Sequence, residues 1–162
     1  MKKIISIILI CLLTGFFIWD QGKALPDTEE CRIYFVDRRL HRLIPLPFPQ
    51  SKTSQKTAEE MVSSLILGKD HNTEILRLIP NIKDSISVKI SSNKANVNLS
   101  GELLQHINKN PETEKLFVYQ IVNSLTSING IEYVQFTIDK QVQKSFLGFL
   151  DMREIFTADY YI

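Results

Sequence analysis

Ser100 stands where a predicted strand turns into a predicted helix, which is a position that a catalytic nucleophile can occupy. Nucleophilic serines at such corners lie in a Gly-x-Ser-x-Gly motif, because the strained turn needs glycine at those two places. Here the two places hold Asn98 and Glu102. The pattern therefore predicts that Ser100 caps the helical turn beginning at Gly101 and accepts a backbone N–H from Glu102 or Leu103.

The three histidines, His41, His71 and His106, do not have the spacing of a metal site. A helical pair of metal ligands stands four residues apart, and motifs such as His-Glu-x-x-His add a carboxylate beside it. Glu59 and Glu60 are neighbours on a predicted helix, so they point apart and do not form an acid–base pair. Since the sequence also has no glycine-rich phosphate loop, we expect no catalytic residue, no metal and no cofactor.

A compact basic cluster follows the first predicted strand. Its members are Arg38, Arg39, His41 and Arg42. Such a cluster can bind an acidic partner or lipid headgroups, and it can also be a solvated turn. At the far end of the sequence, Tyr160 and Tyr161 are aromatic residues of the kind that anchor interfaces. We take Arg38, Arg39, Tyr160 and Tyr161 as the candidate partner contacts.

The composition suits one domain with appendages. The chain has 162 residues, of which 44% are hydrophobic, enough for a core of its own. With 19 basic and 18 acidic residues, the net charge of +1 argues against nucleic acid as the main partner. Cys11 lies in an N-terminal apolar run, which leaves Cys31 as the single cysteine of the folded part. An internal disulfide and a cysteine-based zinc site are therefore excluded there.

Residues 1–24 have the pattern of a targeting segment. Two lysines precede an apolar run over residues 4–19, so the lysines should stay in the cytosol and the rest of the chain should be exported. The run is short for a bilayer core of about 30 Å and long for a cleaved signal. We expect a retained membrane anchor, with cleavage after Ala24 as the alternative. Lipid attachment at Cys11 is disfavoured because large apolar residues precede it.

The first half of the remaining chain predicts a strand, an edge and a helix. Residues 31–36 read as a strand. Residues 43–49 are extended, and their three prolines exclude a helix and confine any strand to a sheet edge. Thr57 and Glu60 fit a capping box, which predicts a helix that starts at Thr57 and stops at Gly68.

The second half gives the clearest local signals. Strict alternation over residues 86–99, with turn residues at 91–94, predicts a β-hairpin with one buried face. Asn110 as cap and Pro111 as first residue open a second long helix, and residues 131–138 form a last strand. This order predicts an α+β fold, with a mainly antiparallel sheet and two main helices packed on one face.

Six short motifs occur in an order that resembles that of a known family. They are RIYFVD at 32–37, LIPLPFP at 43–49, AEEMVSSLILGKD at 58–70, RLIPN at 77–81, ANVNLSGEL at 95–103 and VYQIVNSLTSINGIEYVQFTIDKQ at 118–141. Their order and spacing resemble the GerMN domain family over residues 31–142. On this basis residues 1–24 are a signal or anchor, 25–30 a linker, 31–142 the GerMN-like domain, and 143–162 a tail that packs on the domain or extends it.

The resemblance implies an exported, membrane-associated, non-catalytic domain with a fold like the ring-building modules of envelope assemblies. It implies a role in sporulation or spore germination through contacts with envelope or sporulation proteins, or with further copies of the chain. Neither nucleic acid nor a small-molecule substrate is expected. The location is extracytoplasmic, with the chain held at the membrane through residues 4–19, or secreted if the segment is cleaved.

Two other functions stay open on the residues alone. A module that binds cell-wall glycan would be favoured if Tyr34 and Tyr133 shared an open sheet face with Asn or Gln side chains. A small envelope hydrolase built on Ser100 and His106 is the least favoured alternative.

Overall fold

The computed structural model describes residues 30–68 and 74–162. The expected anchor at residues 4–19, the cleavage position at Ala24, and His71 lie outside the described residues. The elements are β1 (Cys31–Asp37), β2 (Arg42–Phe48), α1 (Ser54–Leu67), β3 (Ile75–Leu76), β4 (Ile86–Ser91), β5 (Lys94–Leu99), α2 (Gly101–Gln105), α3 (Pro111–Thr126) and β6 (Tyr133–Ile138). Within those two ranges, no helix combines the length and apolar character needed to cross a membrane.

The strands form two three-stranded sheets with the orders β2-β1-β3 and β4-β5-β6. Three of the four strand pairs are antiparallel, and β5 and β6 are parallel because α3 crosses over between them. The α+β class and the mainly antiparallel pairing predicted from the sequence are confirmed. The strands divide between two sheets, however, where the sequence suggested a single one.

Helix α3 explains why the two sheets do not join. Its Ser124 Oγ accepts the backbone N–H of Tyr34 at 2.8 Å, and its Ser127 Oγ accepts that of Arg32 at 2.8 Å. Beyond the short pairing with β3, these hydroxyls occupy the edge of β1 that another strand would need. A sheet edge covered by a helix is a recognised way to prevent further strand pairing.

The core lies between the two helices and the inner faces of both sheets. Helix α1 packs mainly on β4, while α3 packs on β1 and β6 and also touches α1. One apolar stripe of α3 is fully buried: Val118, Ile121, Val122 and Leu125. Burying one such side chain stabilises the fold by about 1.5–3 kcal/mol relative to leaving it exposed. Helix α3 is therefore the element that ties the two sheets together.

The predicted start of the first helix at Thr57 is wrong. The N-cap is Thr53, whose side-chain oxygen accepts the backbone N–H three residues later. Thr57 lies one turn inside the helix, where its hydroxyl accepts the N–H of Ser51 at 2.9 Å and donates to the carbonyl of Thr53. Glu60 likewise accepts from the Ser51 hydroxyl at 2.5 Å. Both side chains fix the segment that enters the helix rather than cap the helix itself.

Two other local predictions are confirmed in detail. The hairpin of β4 and β5 turns at Ser92 and Asn93, as the alternation predicted. The side chain of Asn110 caps α3 by accepting the N–H of Thr113 at 2.8 Å, with Pro111 as the first helical residue. These signals are local, so the sequence alone was sufficient to place them.

The tail, residues 143–162, packs back on the domain. Its Phe146, Met152 and Phe156 are buried. Glu114, a fully buried residue of α3, accepts the N–H of Leu147 on one carboxylate oxygen and that of Phe149 on the other, both at 2.8 Å. The buried residues of the tail therefore complete the core, while its last tyrosines stay exposed.

Candidate interaction surfaces

Ser100 has the structural role that the sequence predicted. Its side-chain oxygen accepts the N–H of Leu103 at 3.2 Å and so caps α2. The next residue, Gly101, donates its N–H to the carboxylate of Asp139 at 3.0 Å. His106 ends the same short helix as its C-cap residue. The corner at Ser100 is thus fully explained by backbone capping.

A cavity of about 410 Å³ brings two of the histidines to one surface. His41 and His106 both line it, and His41 Nδ1 lies 3.2 Å from a carboxylate oxygen of Glu112. Both members of that pair are largely exposed. Within residues 30–68 and 74–162, no group of three or more histidine, cysteine or acidic residues is placed to hold a metal ion.

The basic cluster forms the turn between β1 and β2, and Asp37 organises it. One carboxylate oxygen of Asp37 accepts the N–H of Leu40 at 2.7 Å and that of Arg39 at 2.8 Å. These hydrogen bonds, first of all the one from Leu40, hold the pKa of Asp37 below its ordinary value, and the charges of Arg39 and Arg42 act in the same direction. The turn is therefore ordered, and it presents the side chains of Arg38 and Arg39 to solvent.

The end of the tail contacts β1 through Tyr160 and the start of β2 through Ile162. Tyr160 stacks on the buried ring of Tyr34, with centroids 5.9 Å apart, and is still 59% exposed. Tyr161 is completely exposed. The carbonyl of Ile162 accepts the N–H of Leu43 at 3.1 Å, and Leu43 directly follows the charged turn. The candidate contacts of the turn and of the tail therefore border the same strand.

The outer face of the second sheet is polar and open. Its side chains come from alternate positions of three strands: Ser87, Lys89, Ser91, Lys94, Asn96, Asn98, Tyr133, Gln135 and Thr137. Several of them bond to one another, as Lys94 Nζ does to Gln135 Oε1 at 2.8 Å and Thr137 Oγ1 to Asn98 Oδ1 at 3.0 Å. Tyr34 is buried in the first sheet, so the two tyrosines considered for a glycan site do not share a face.

Edge strand β2 presents prolines outward. The N–H groups of Arg32 and Tyr34 point away from β2, so their partners Pro47 and Pro45 have their nitrogens on the outer edge. These nitrogens carry no hydrogen and offer no donor to an incoming strand. The outer edge of β6 is covered by the tail, where Val134 and Phe156 exchange two backbone hydrogen bonds of 2.8 and 2.9 Å.

One polar residue at the edge of β4 was missed by sequence reasoning. The side-chain amide of Gln55, in the first turn of α1, donates to the carbonyl of Val88 at 3.0 Å and accepts the N–H of Ile90 at 2.8 Å. A helix side chain that bonds to a strand edge more than 30 residues away leaves no local spacing signal. The proline pattern of β2, by contrast, can be read directly from the sequence.

One family model and several solved structures are similar to this chain. A family model described as "Germane: Sporulation and spore germination" matches residues 32–144, well over half of the chain. A candidate lipoprotein from Clostridium perfringens has a similar structure, with a TM-score of 0.58 and 21% identity over 79% of this chain and 86% of the other. No curated protein sequence matches.

Two further solved structures come from the sporulation protein GerM of Bacillus subtilis. Its first GerMN domain matches with a TM-score of 0.59 and 17% identity, over 77% of this chain and 98% of the other. Its tandem GerMN domains match with a TM-score of 0.59 and 18% identity over 76% of this chain, which spans 43% of the tandem structure. At these identities the likeness demonstrates a shared fold.

Proposed function

The chain belongs to the Germane family of GerMN domains, described as one of sporulation and spore germination, and on that premise we propose that it acts in one of these processes as a non-catalytic binding domain. Family membership is the observation that carries the proposal. The family description names a cellular process and no chemical reaction. Ser100, whose position could have suggested a nucleophile, serves as a helix cap.

The proposed location is the outer side of the cell membrane. The two N-terminal lysines and the apolar run over residues 4–19 support export with retention at the membrane. The similarity to a chain described as a candidate lipoprotein fits a place in the envelope. Cleavage after Ala24 would instead release the domain. A tagged chain that stays with washed membranes, and that becomes soluble when residues 4–19 are deleted, would support the anchor.

The proposed partners are envelope or sporulation proteins, or further copies of this chain. The surfaces that support this are the exposed turn with Arg38 and Arg39, and the exposed Tyr160 and Tyr161 of the tail, whose last residue bonds to Leu43. Arginine and tyrosine are enriched among residues that dominate binding energy at interfaces. We propose these four residues as contacts for a protein partner with acidic groups opposite the turn.

The test is genetic and uses the spore-forming host of the gene. Deleting the gene should lower the number of heat-resistant spores or the germination rate, and the wild-type gene should restore both. A Ser100→Ala copy should restore them equally, because a cap can be weakened without loss of function. Normal spore numbers and normal germination in the deletion strain would contradict the proposed process, and failure of the Ser100→Ala copy at normal protein level would contradict the non-catalytic role.

A matched pair of variants tests the proposed surface. Arg39→Glu combined with Tyr161→Ala should fail to restore spore numbers, because both side chains are exposed and the change replaces one positive charge of the turn with a negative one. Lys109→Glu, an exposed charge reversal elsewhere, should restore them. Equal restoration by both copies would remove the surface from the proposal and leave the process untouched.

A second candidate function is binding to cell-wall glycan. The observation in its favour is Tyr133, which is 38% exposed on the open polar face beside Gln135 and Asn96. Sugar rings stack on such aromatic side chains while neighbouring amides bond their hydroxyls. Sedimentation with purified cell wall, lost on Tyr133→Ala, would support this function, and absence of the wild-type protein from the wall pellet would remove it.

A further inference from the structure

Apart from the two-residue strand β3, the two sheets have four stretches of strand edge: those of β2, β4 and β6, and the part of β1 that β3 leaves unpaired. The described residues close three of them by different means. Prolines remove the outward donors of β2, hydroxyls of α3 occupy β1, and the tail runs along β6. Proteins close sheet edges in such ways because an unpaired strand edge is a template for another strand. The fourth edge, that of β4, is closed over part of its length.

The backbone groups at this edge can be assigned from the hairpin register. Ser91 and Lys94 flank a two-residue turn, so they form a hydrogen-bonded pair and the alternation runs back from them along β4. The N–H and C=O groups of Ile86, Val88 and Ile90 therefore point away from β5. The amide of Gln55 satisfies the carbonyl of Val88 and the N–H of Ile90.

Gln55 bonds to this edge as one residue of a parallel strand would. It bonds the C=O before Lys89 and the N–H after it, which is the pattern of one residue in a parallel ladder. The next pair of groups along the edge is the carbonyl of Ile86 and the N–H of Val88. Among residues 30–68 and 74–162, neither group has a hydrogen-bond partner.

A groove of about 590 Å³ lies at this part of the edge, between α1 and β4. Its apolar lining comes from both elements: Val62, Ile66, Leu67, Ile86 and Val88. Leu67 is 55% exposed, so the groove offers apolar surface that no described residue covers. The exposed side chains of Glu59 and Asp84 contribute two carboxylates to the groove, against the one ammonium of Lys83.

We infer that this groove binds an extended segment of a partner protein, which adds to the second sheet as a fourth strand beside β4. The carbonyl of Ile86 and the N–H of Val88 supply backbone hydrogen bonds, and the apolar lining between α1 and β4 receives alternate side chains of the segment. The excess of carboxylates in the groove selects a segment that carries a basic residue.

A segment of a partner fits this site better than a second folded copy of the chain. In a second copy, the edges of β2, β1 and β6 are closed and β3 is only two residues long, so its own β4 is the remaining described edge that is long enough to pair. Pairing of β4 with β4 would bring two α1 helices, each already lining a groove, to the same side of one sheet. A single extended segment needs space for one strand, which the groove provides.

The inference rests on the proposed function in one respect: the groove would be one of the contact surfaces of the proposed binding domain. Its test reads peptide binding in solution, whereas the proposed function is read from spore numbers, so each can fail alone. The probe is a phage-displayed library of heptapeptides with valine fixed at alternate positions and the others randomised. Selected peptides are then synthesised, together with versions in which alternate backbone nitrogens are methylated.

Three results are expected. Selected peptides carry a basic residue and shift the NMR signals of the Val88 and Ile86 amides. The Val88 amide hydrogen exchanges fast in the unbound protein and slows when peptide binds, while that of Lys89, which faces β5, is slow in both states. Methylated peptides bind at least about tenfold more weakly, because they cannot form the backbone hydrogen bonds.

Two variants separate the groove from the rest of the helix. Ser63→Trp fills the groove from an exposed position of α1 and should weaken binding about tenfold or more. Lys56→Trp, exposed on the same helix outside the groove lining, should leave binding unchanged. Val88→Pro removes one outward donor, as Pro45 and Pro47 do in β2, and should act like Ser63→Trp if it folds.

Four outcomes would overturn the inference. They are failure of the library to yield a binder, equal binding by the Ser63→Trp protein, equal binding of methylated peptides, and a Val88 amide already protected in the unbound protein. Self-association of the wild-type chain that Ser63→Trp abolishes would assign the groove to a second copy and would equally overturn it.

Discussion

The edges of β2 and β4 are protected from pairing with another strand in different ways. In β2 the outward positions are Pro45 and Pro47, which cannot donate a hydrogen bond in any conformation. In β4 the outward positions are ordinary residues, and one side chain, Gln55, covers part of the edge. The first closure is covalent and permanent, whereas the second depends on a side chain that can be removed or displaced.

The difference shows how a small domain can keep one surface available for pairing. An edge closed by proline is protected in the folded and the partly unfolded chain alike. An edge guarded by one glutamine is protected only while α1 is docked beside it. This difference can be tested by substitutions that open the edges of β1, β2 and β6, and by a substitution of Gln55 at the edge of β4.

The largest effect is expected from Glu114→Ala. This change leaves two partly buried N–H groups of the tail without their carboxylate acceptor and frees the segment that closes β6. Hydrogen bonds to charged groups are worth about 1.5–3 kcal/mol each, so the free energy of unfolding should fall by about 3 kcal/mol. Urea denaturation measures it. Glu112→Ala, an exposed acid in the same helical turn, should change stability far less; a similar loss there would assign the effect to the helix dipole.

A smaller loss is expected from Ser124→Ala, which opens the edge of β1. The buried N–H of Tyr34 loses its acceptor, at a cost of about 1–2 kcal/mol in the free energy of unfolding. Ser127→Ala removes the equivalent bond to Arg32 at a more exposed position, where water can replace the hydroxyl. Its loss should be clearly smaller. Equal losses in the two variants would show that burial does not distinguish these two hydroxyls.

Gln55→Ala should make β4 an open edge along its whole length. Two backbone groups then turn to water, so we expect the free energy of unfolding to fall by about 1 kcal/mol or less. The larger consequence is for association, because the two groups that Gln55 bonded then become available to an extended peptide, together with the other outward groups of β4. Light scattering at rising concentration should show more aggregation than for Gln105→Ala, an exposed glutamine in α2. Identical scattering by both proteins would count against a guarding role.

Pro45→Val with Pro47→Val should convert β2 into an edge like that of β4. Both prolines are exposed, so stability should change by less than about 0.5 kcal/mol. Two outward N–H donors are restored, and we expect weak, concentration-dependent association in sedimentation experiments. Pro49→Val, which lies beyond the strand, serves as the control. A double variant that sediments like the wild type would show that the prolines are not what closes this edge.

The smallest effect concerns Asp37, whose turn sets the register that places the prolines outward. Its pKa is lowered on folding from 3.8, so its contribution is fully present above that pH and is lost as the pH falls through the lowered value. An NMR titration of the carboxyl carbon should give a midpoint below 3.8. Asp37→Asn, which keeps the acceptor oxygen, should remove this part of the acid sensitivity. A midpoint at or above 3.8 would contradict the lowered pKa of Asp37 in the folded protein.

The sequence predicts those features whose signals lie within a few residues of one another. The alternation over residues 86–99, the cap and proline at Asn110 and Pro111, and the edge role of the prolines in β2 are all of this kind. The start of α1 was misplaced because Thr53 and Thr57 both suit a cap, and only the contact with Ser51 decides between them. Local patterns therefore give element types more reliably than element ends.

Features that depend on distant partners could not be predicted. Ser124 reads as a polar residue on a helix, and nothing near it shows that it closes a strand 90 residues earlier. Glu114 reads as a first-turn acid, while its partners are 33 and 35 residues further along. The partner contacts proposed at Arg39 and Tyr161 remain predictions, since an exposed residue does not identify what it binds.

The hydrogen bond between Leu43 and Ile162 also bears on when the domain can fold. The second strand of the chain is completed by a residue more than 100 positions later, and such contacts between distant positions slow folding. The first sheet cannot reach its final form until residue 162 has left the ribosome. A chain that cannot finish folding early stays extended for longer, and this would suit the export that we propose, because a translocation channel admits only an unfolded chain.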